Sequence, residues 1–245
     1  MSLSGKVAII TGSSNGIGKA AALRLASEGA NVVINYRSNA KAANDVVNQI
    51  GSDRALAIQA DASNLPDLDR LVNETLSRFG KIDILILNAG QLPMKDLENT
   101  TEEDFDSSYN LMVKGPYFLA QKASKHMKPG SRIIFVSTTV TAFSGVAPSY
   151  LLYASAKGAV EQMARVAAKD LGRKGILVNT VAPGPTMTDL FTEGKSEQLI
   201  KTLAATNPLN RIGEADEIAA VMAFLSGKDS SWMTGQILRV NGGMA

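Results

Sequence analysis

Seven short runs of Val, Ile, Leu and Ala recur along the 245-residue chain, at 6–11, 31–36, 55–60, 82–88, 131–137, 175–182 and 235–241. Between them lie longer segments of helical composition, so the runs are predicted as strands and the intervening segments as helices. The runs are nearly continuous in apolar residues, which implies burial on both faces and hence a parallel sheet with helices on each side. The expected architecture is a single α/β domain over 1–245, a doubly wound sheet of about seven strands. No internal repeat, low-complexity tract or linker divides it. Residues 185–212 are the least strand-like and include "TEGKSEQ"; they are expected to form a mobile excursion over a site.

Composition narrows the function classes. The chain is 45% hydrophobic and 20% charged, enough for one sizeable core. A formal charge of +2, with both signs interspersed, gives no electrostatic reason to expect nucleic acid or an anionic membrane as partner. Small-molecule chemistry is the default. The absence of cysteine removes disulfides, thiolate metal sites and a cysteine nucleophile, and fits a reducing compartment. "KVAII" begins too early to leave room for a secretion signal, and no run approaches the roughly 20 apolar residues of a membrane span, so a cytoplasmic protein is expected. The single histidine, His126, lies in "KHMKPG", the pattern of a helix end. No histidine metal site or Ser-His-Asp triad is expected.

Two stretches carry candidate chemistry. The first strand runs into "TGSSNGIG" and then a helix. Gly12, Gly16 and Gly18 allow a sharp turn and close approach to a pyrophosphate, whose charge the helix N-terminus stabilises. The spacing is G-x-x-x-G-x-G, not the commoner G-x-G-x-x-G. The second stretch is "YLLYASAK". On a helix Tyr150, Tyr153 and Lys157 project the same way, so geometry alone does not choose between the tyrosines, and an isolated Y-x-x-x-K is more often an ordinary solvated face.

Context decides. With "NAG" at 88–90, "NTVAPGPTMT" at 179–188 and "TGQILRVNGGM" near the end, the chain resembles the classical short-chain dehydrogenases/reductases over nearly its whole length. Within that family it is similar to 3-oxoacyl carrier-protein reductases and to fungal carbonyl or hydroxynaphthalene reductases in about equal measure. The resemblance implies a Rossmann-like fold and makes Tyr153 the acid or base for the substrate oxygen, with Tyr150 in the pocket wall. Lys157 then lowers the phenol pKa from near 10 and anchors the nicotinamide ribose. The family's substrate-orienting serine corresponds to Thr138, with Ser137 and Thr139 as neighbours, in a segment two residues longer than the commonest spacing. A further departure is Met112, where the family usually has an asparagine that holds a relay water; Asn110 lies two residues earlier.

Cofactor choice is expected after the second strand. "NYRSN" offers Asn35, Tyr36, Arg37 and Ser38, with no carboxylate to repel a 2′-phosphate and one arginine to bind it, so NADP(H) is favoured. Ser13 and Ser38 are expected helpers, beside Ser14, Asn15 and Ile17 of the glycine turn. By resemblance, Asp61 and Ala62 meet the adenine, Asn88, Ala89 and Gly90 its ribose, and Pro183, Gly184, Thr186 and Thr188 the nicotinamide side. Gln91, Phe143, Tyr150, Met187 and Phe191, with Leu92, Val146 and Leu190, make a largely apolar substrate pocket with no arginine or lysine clamp. These readings converge on an NADPH-dependent carbonyl reductase acting on a ketone or secondary alcohol, and the resemblance implies assembly as a homotetramer or homodimer. The alternative is an NADP(H)-binding sensor or assembly subunit with impaired catalysis.

Overall fold

The computed structural model describes residues 3–245; Met1 and Ser2, the first two residues of the expected 1–245 domain, lie outside the described residues. Three strands, β1 (Val7–Ile10), β4 (Ile84–Leu87) and β5 (Arg132–Val136), are buried at every position. They form the centre of a seven-stranded sheet completed by β2 (Asn31–Tyr36), β3 (Ala55–Gln59), β6 (Leu177–Pro183) and β9 (Ile237–Val240). The order is β3-β2-β1-β4-β5-β6-β9, with every pair parallel. Each strand falls within its predicted apolar run to within one residue.

Because successive side chains on a strand point to opposite faces, the sheet feeds two cores. Ala8, Ile10 and Ile34 pack with α1 (Gly16–Ser27), α2 (Ala40–Ile50) and α9 (Ala215–Ser226). Ile9, Val33 and Leu85 pack with α3 (Leu65–Phe79), α5 (Gly115–Ser124) and α6 (Leu151–Gly172). Alanines at 20, 21, 22, 219 and 223 are buried where α1 and α9 meet, and their small side chains let the two helices lie close. α4 (Glu102–Tyr109) starts with a capping box in which Thr101 and Asp104 exchange hydrogen bonds.

Two features depart from the sequence pattern. Residues 110–114, expected as ordinary helix, form a π-turn between α4 and α5. The excursion at 185–212 is tied at both ends, since β7 (Thr186–Met187) pairs with β8 (Gly213–Glu214). Within it lie α7 (Asp189–Thr192) and α8 (Glu197–Ala205), neither with a buried residue. No helix among the described residues is long and apolar enough to cross a membrane.

From β1 the chain moves outward through β2 and β3, then returns to place β4 on the other side of β1. The reversal opens a crevice beyond the carboxyl ends of β1 and β4, the place where such sheets bind ligands.

Candidate active site

A cavity of about 610 Å³ fills that crevice and extends past the ends of β5 and β6. Its floor is the turn after β1. Thr11 Oγ1 accepts from the amides of Asn88 and Ala89, each at 2.9 Å, which laces the loop after β4 to the glycine turn. Gly12 and Gly16 have φ of +62° and +53°, a region that disfavours side chains, and so leave bare backbone beside the cavity. Gly18 serves packing instead. A Cβ there would overlap the Gly12 carbonyl oxygen and stand 2.6 Å from Asn88 Nδ2.

Asn35, buried at the end of β2, braces the turn from behind. Its Oδ1 accepts from the Gly12 amide at 3.1 Å and its Nδ2 donates to the Ala60 carbonyl at 2.9 Å. Ser13 belongs to this brace: its hydroxyl donates to Ile10 O at 2.7 Å and accepts from the Asn35 amide at 3.1 Å. With both positions taken and no exposed surface, the expected help of Ser13 to a 2′-phosphate does not occur at its side chain. Arg37 and Ser38, by contrast, are exposed at the cavity rim, where Gln59 Nε2 holds the Arg37 carbonyl at 3.0 Å. Asp61 lines the cavity while its Oδ1 accepts from the amide and hydroxyl of Ser63 at 2.8 and 2.7 Å.

The other end is built on α6. Lys157 is 4% exposed, and its Nζ donates to Val136 O at 2.7 Å. Burial pushes its pKa down to about 8. Tyr153, one turn earlier, has its ring centroid 6.0 Å from that Nζ and meets Tyr150 edge-on with centroids 6.5 Å apart. Burial pushes the Tyr153 phenol up to about 12; a hydrogen bond with Thr138 pulls it down, and Tyr150 adds a smaller upward push. The direction is opposite to the lowering expected from the lysine, and loss of hydration is its largest cause.

Of the three candidate hydroxyls, two are engaged elsewhere. Ser137 Oγ donates to Glu161 Oε1 at 2.8 Å, and Thr139 Oγ1 accepts from Asn241 Nδ2 at 2.7 Å. Thr138 faces Tyr153 across the cavity wall.

The residues fit a dinucleotide: a glycine turn opening the 12-residue α1, an arginine at one end and a buried lysine at the other. A family model described as enoyl-(acyl carrier protein) reductase, of the short-chain dehydrogenase/reductase type, matches residues 12–245. The chain belongs to the short-chain dehydrogenase/reductase family. A hydroxynaphthalene reductase-like protein of Metarhizium robertsii is 42% identical over 256 residues, covering 99% of this chain and 96% of the relative. Among solved structures, a short-chain dehydrogenase of Burkholderia cenocepacia in complex with NADP is 34% identical with a TM-score of 0.94, covering 100% of this chain and 99% of that one. The angucycline C-6 ketoreductase LanV with bound NADP is 35% identical with a TM-score of 0.93, covering 99% and 96%.

In this short-chain dehydrogenase/reductase the residues expected at the site line the cavity, apart from Ser13, Gly18 and Met187. Met187 is 41% exposed on β7 and lies outside the lining. The lining also includes Asn39, Leu111, Val140, Leu203 and Met244, which the sequence reading did not pick out. Four of these are apolar, and no local signal separates them from core residues. Met112 is 1% exposed, and its sulfur stands 4.0 Å from the point where a Gly90 Cβ would be, with Lys157 Nζ 3.6 Å from the same point. A weakly accepting thioether therefore lies near Gly90, as the lysine does, and neither Met112 nor Asn110 is part of the lining.

A second cavity, about 470 Å³, adjoins the substrate end through Gln91, Leu92 and Leu190. Its wall is polar, with Lys95 paired to Asp104 at 3.0 Å.

Proposed function

We propose that this chain is an NADPH-dependent carbonyl reductase that interconverts a neutral ketone and its secondary alcohol. The observation that carries the reading is the convergence of the Tyr153 phenol, the Thr138 hydroxyl and the Lys157 ammonium on one cavity that continues to Arg37. Bound there, the nicotinamide supplies the hydride.

The chain's own groups handle the oxygen and its proton. Thr138 orients the carbonyl through a hydroxyl hydrogen bond, and Tyr153 gives up its proton as negative charge develops on that oxygen. A phenol with a pKa of about 12 keeps its proton throughout the neutral range, which suits a donor in the reductive direction. Lys157 commits one N–H to Val136 and has two left for ribose hydroxyls and water. Its loosely held proton makes it the nearest source for restoring the phenol. Arg37, exposed at the rim, would meet the 2′-phosphate with a charge-assisted hydrogen bond. The apolar side chains of Phe143, Val146, Tyr150 and Phe191 exclude water from the reacting carbon.

The NADP complexes among the solved relatives and the ketoreductase activity named for one of them support this reading. The test is loss of NADPH absorbance with a panel containing neutral aromatic ketones, aliphatic ketones and a 3-oxoacyl thioester. Turnover of a neutral ketone is expected. NADPH binding with no turnover on any member would overturn the proposal in favour of a sensor or assembly subunit, a reading that Met112 at the relay position would then support.

A further inference from the structure

Tyr153, Lys157 and Glu161 stand one helical turn apart and form a single stripe along α6. Each grips the end of β5 or the loop after it. Tyr153 faces Thr138, whose hydroxyl draws the phenol pKa down, Lys157 Nζ holds the Val136 carbonyl, and Glu161 Oε1 receives the hydroxyls of Ser137 at 2.8 Å and Thr141 at 2.7 Å. Thr141 Oγ1 also lies 2.8 Å from the Thr138 carbonyl oxygen, so its proton is shared between the two acceptors. Glu161 therefore holds the chain on both sides of Thr138, through the side chains of Ser137 and Thr141. Its side chain is partly buried and does not line the cavity.

Alternative partners near the loop are scarce. Ser137 is 3% exposed, and its only other acceptor is the Lys157 carbonyl at 3.4 Å, too long to replace the carboxylate. Thr139 is held from the far side by Asn241. With its neighbours fixed, the Thr138 side chain is left with a 3.4 Å contact from the Val140 amide and faces the Tyr153 phenol.

We propose that Glu161 is a positioning residue that sets the Thr138 hydroxyl against the Tyr153 phenol by holding Ser137 and Thr141 on one carboxylate oxygen. The assignment rests on the carbonyl-reductase reading for its kinetic consequence and on the hydrogen bonds alone for its structural one. A single oxygen with lone pairs for two donors is the requirement, which glutamine also meets and alanine does not.

The experiment compares Glu161→Ala, Glu161→Gln, Thr138→Ala and the Glu161→Ala/Thr138→Ala double variant. For Glu161→Ala, kcat falls about tenfold or more while the NADPH Kd stays within about threefold, since the carboxylate makes its hydrogen bonds behind the cavity wall. Glu161→Gln keeps kcat within about threefold of wild type, because the acceptor oxygen survives. In the Thr138→Ala background, adding Glu161→Ala costs no more than about twofold, because the effect acts through Thr138. Amide hydrogen exchange over 137–143 is faster in Glu161→Ala and restored in Glu161→Gln, with the 11–18 turn unchanged.

Unchanged kcat in Glu161→Ala, or an equal loss with and without Thr138, would overturn the proposal. So would equal losses of NADPH affinity and thermal stability in the alanine and glutamine variants, which would mark a packing role. If the wild type reduces no ketone, the carbonyl-reductase reading fails on its own panel. The exchange measurement then decides the clamp by itself, and unchanged exchange over 137–143 in Glu161→Ala overturns it.

Discussion

Tyr150, on the turn just before α6, and Tyr153, on its first turn, meet edge-on, yet only Tyr153 faces Thr138. Tyr153→Phe removes the proton donor and little cofactor contact, so ketone reduction is expected to fall by at least about a hundredfold, the range of general-acid catalysis, at near-normal NADPH affinity. Tyr150→Phe should cost far less, and steady-state rates with matched NADPH titrations separate the two. Lys157 gives a pH prediction for the protein without added cofactor. Its folded pKa of about 8 lies below the usual lysine value of 10.5, so the unfolded chain binds more protons between these values and stability rises with pH across that window. The contribution is complete above about 10.5 and lost as pH falls through 8. Tyr153 acts in the opposite sense, its stabilisation present below pH 10 and lost as pH rises through about 12. Urea midpoints at several pH values between 7 and 10 should climb for wild type relative to Lys157→Met; parallel profiles would refute the assignment. The residue-level chemistry was partly legible, because Y-x-x-x-K is local. The choice among Ser137, Thr138 and Thr139 was not, because the groups that engage Ser137 and Thr139 come from Glu161 and Asn241, 24 and 102 residues away.

The carboxyl end of β2 splits its tasks between two faces. Asn35 points inward and ties the glycine turn to the strand end of β3, whereas Arg37 is exposed at the rim. Asn35→Ala leaves buried donors and acceptors without partners, so a loss of about 1–3 kcal/mol in unfolding free energy is expected, together with weaker NADPH binding. Denaturant titration and cofactor titration on the same variant check both. Arg37→Asp should instead leave stability within about 0.5 kcal/mol and shift preference away from NADPH, by roughly ten- to hundredfold relative to NADH. An unchanged ratio of the two affinities at one ionic strength would make Arg37 a mere surface residue. Element by element, the seven sheet strands were readable because burial on both faces writes an unbroken apolar run. The π-turn at 110–114 and the two-residue pairing of β7 with β8 were not, since neither has a periodicity that a short window can hold.

The molecule as a whole leaves one helical layer conspicuously apolar outside. Phe105 stacks on Tyr109 with centroids 4.3 Å apart, and Phe105, Tyr117, Leu151 and Val166 are exposed along α4, α5 and α6. Elsewhere, Trp232 is 99% exposed. Side chains of this kind fit the expected homodimer or homotetramer, and light scattering at working concentration should return two or four times the chain mass. A monomer alone would remove that expectation. The sheet order has a further consequence, one of timing. During synthesis the glycine turn, Asn35 and Asn88 emerge early, so the turn braced by β1, β2 and β4 can assemble first. β6 meanwhile has no neighbour on its outer side until β9 is made, and Thr139 has no tether until residue 241 exists. A growing chain thus passes through a stage in which the outer edge of β6 is unpaired and the Thr139 hydroxyl is not yet held by Asn241. The order in which parts of the site appear is written into the order of strands, with the Asn241 tether to Thr139 completed last.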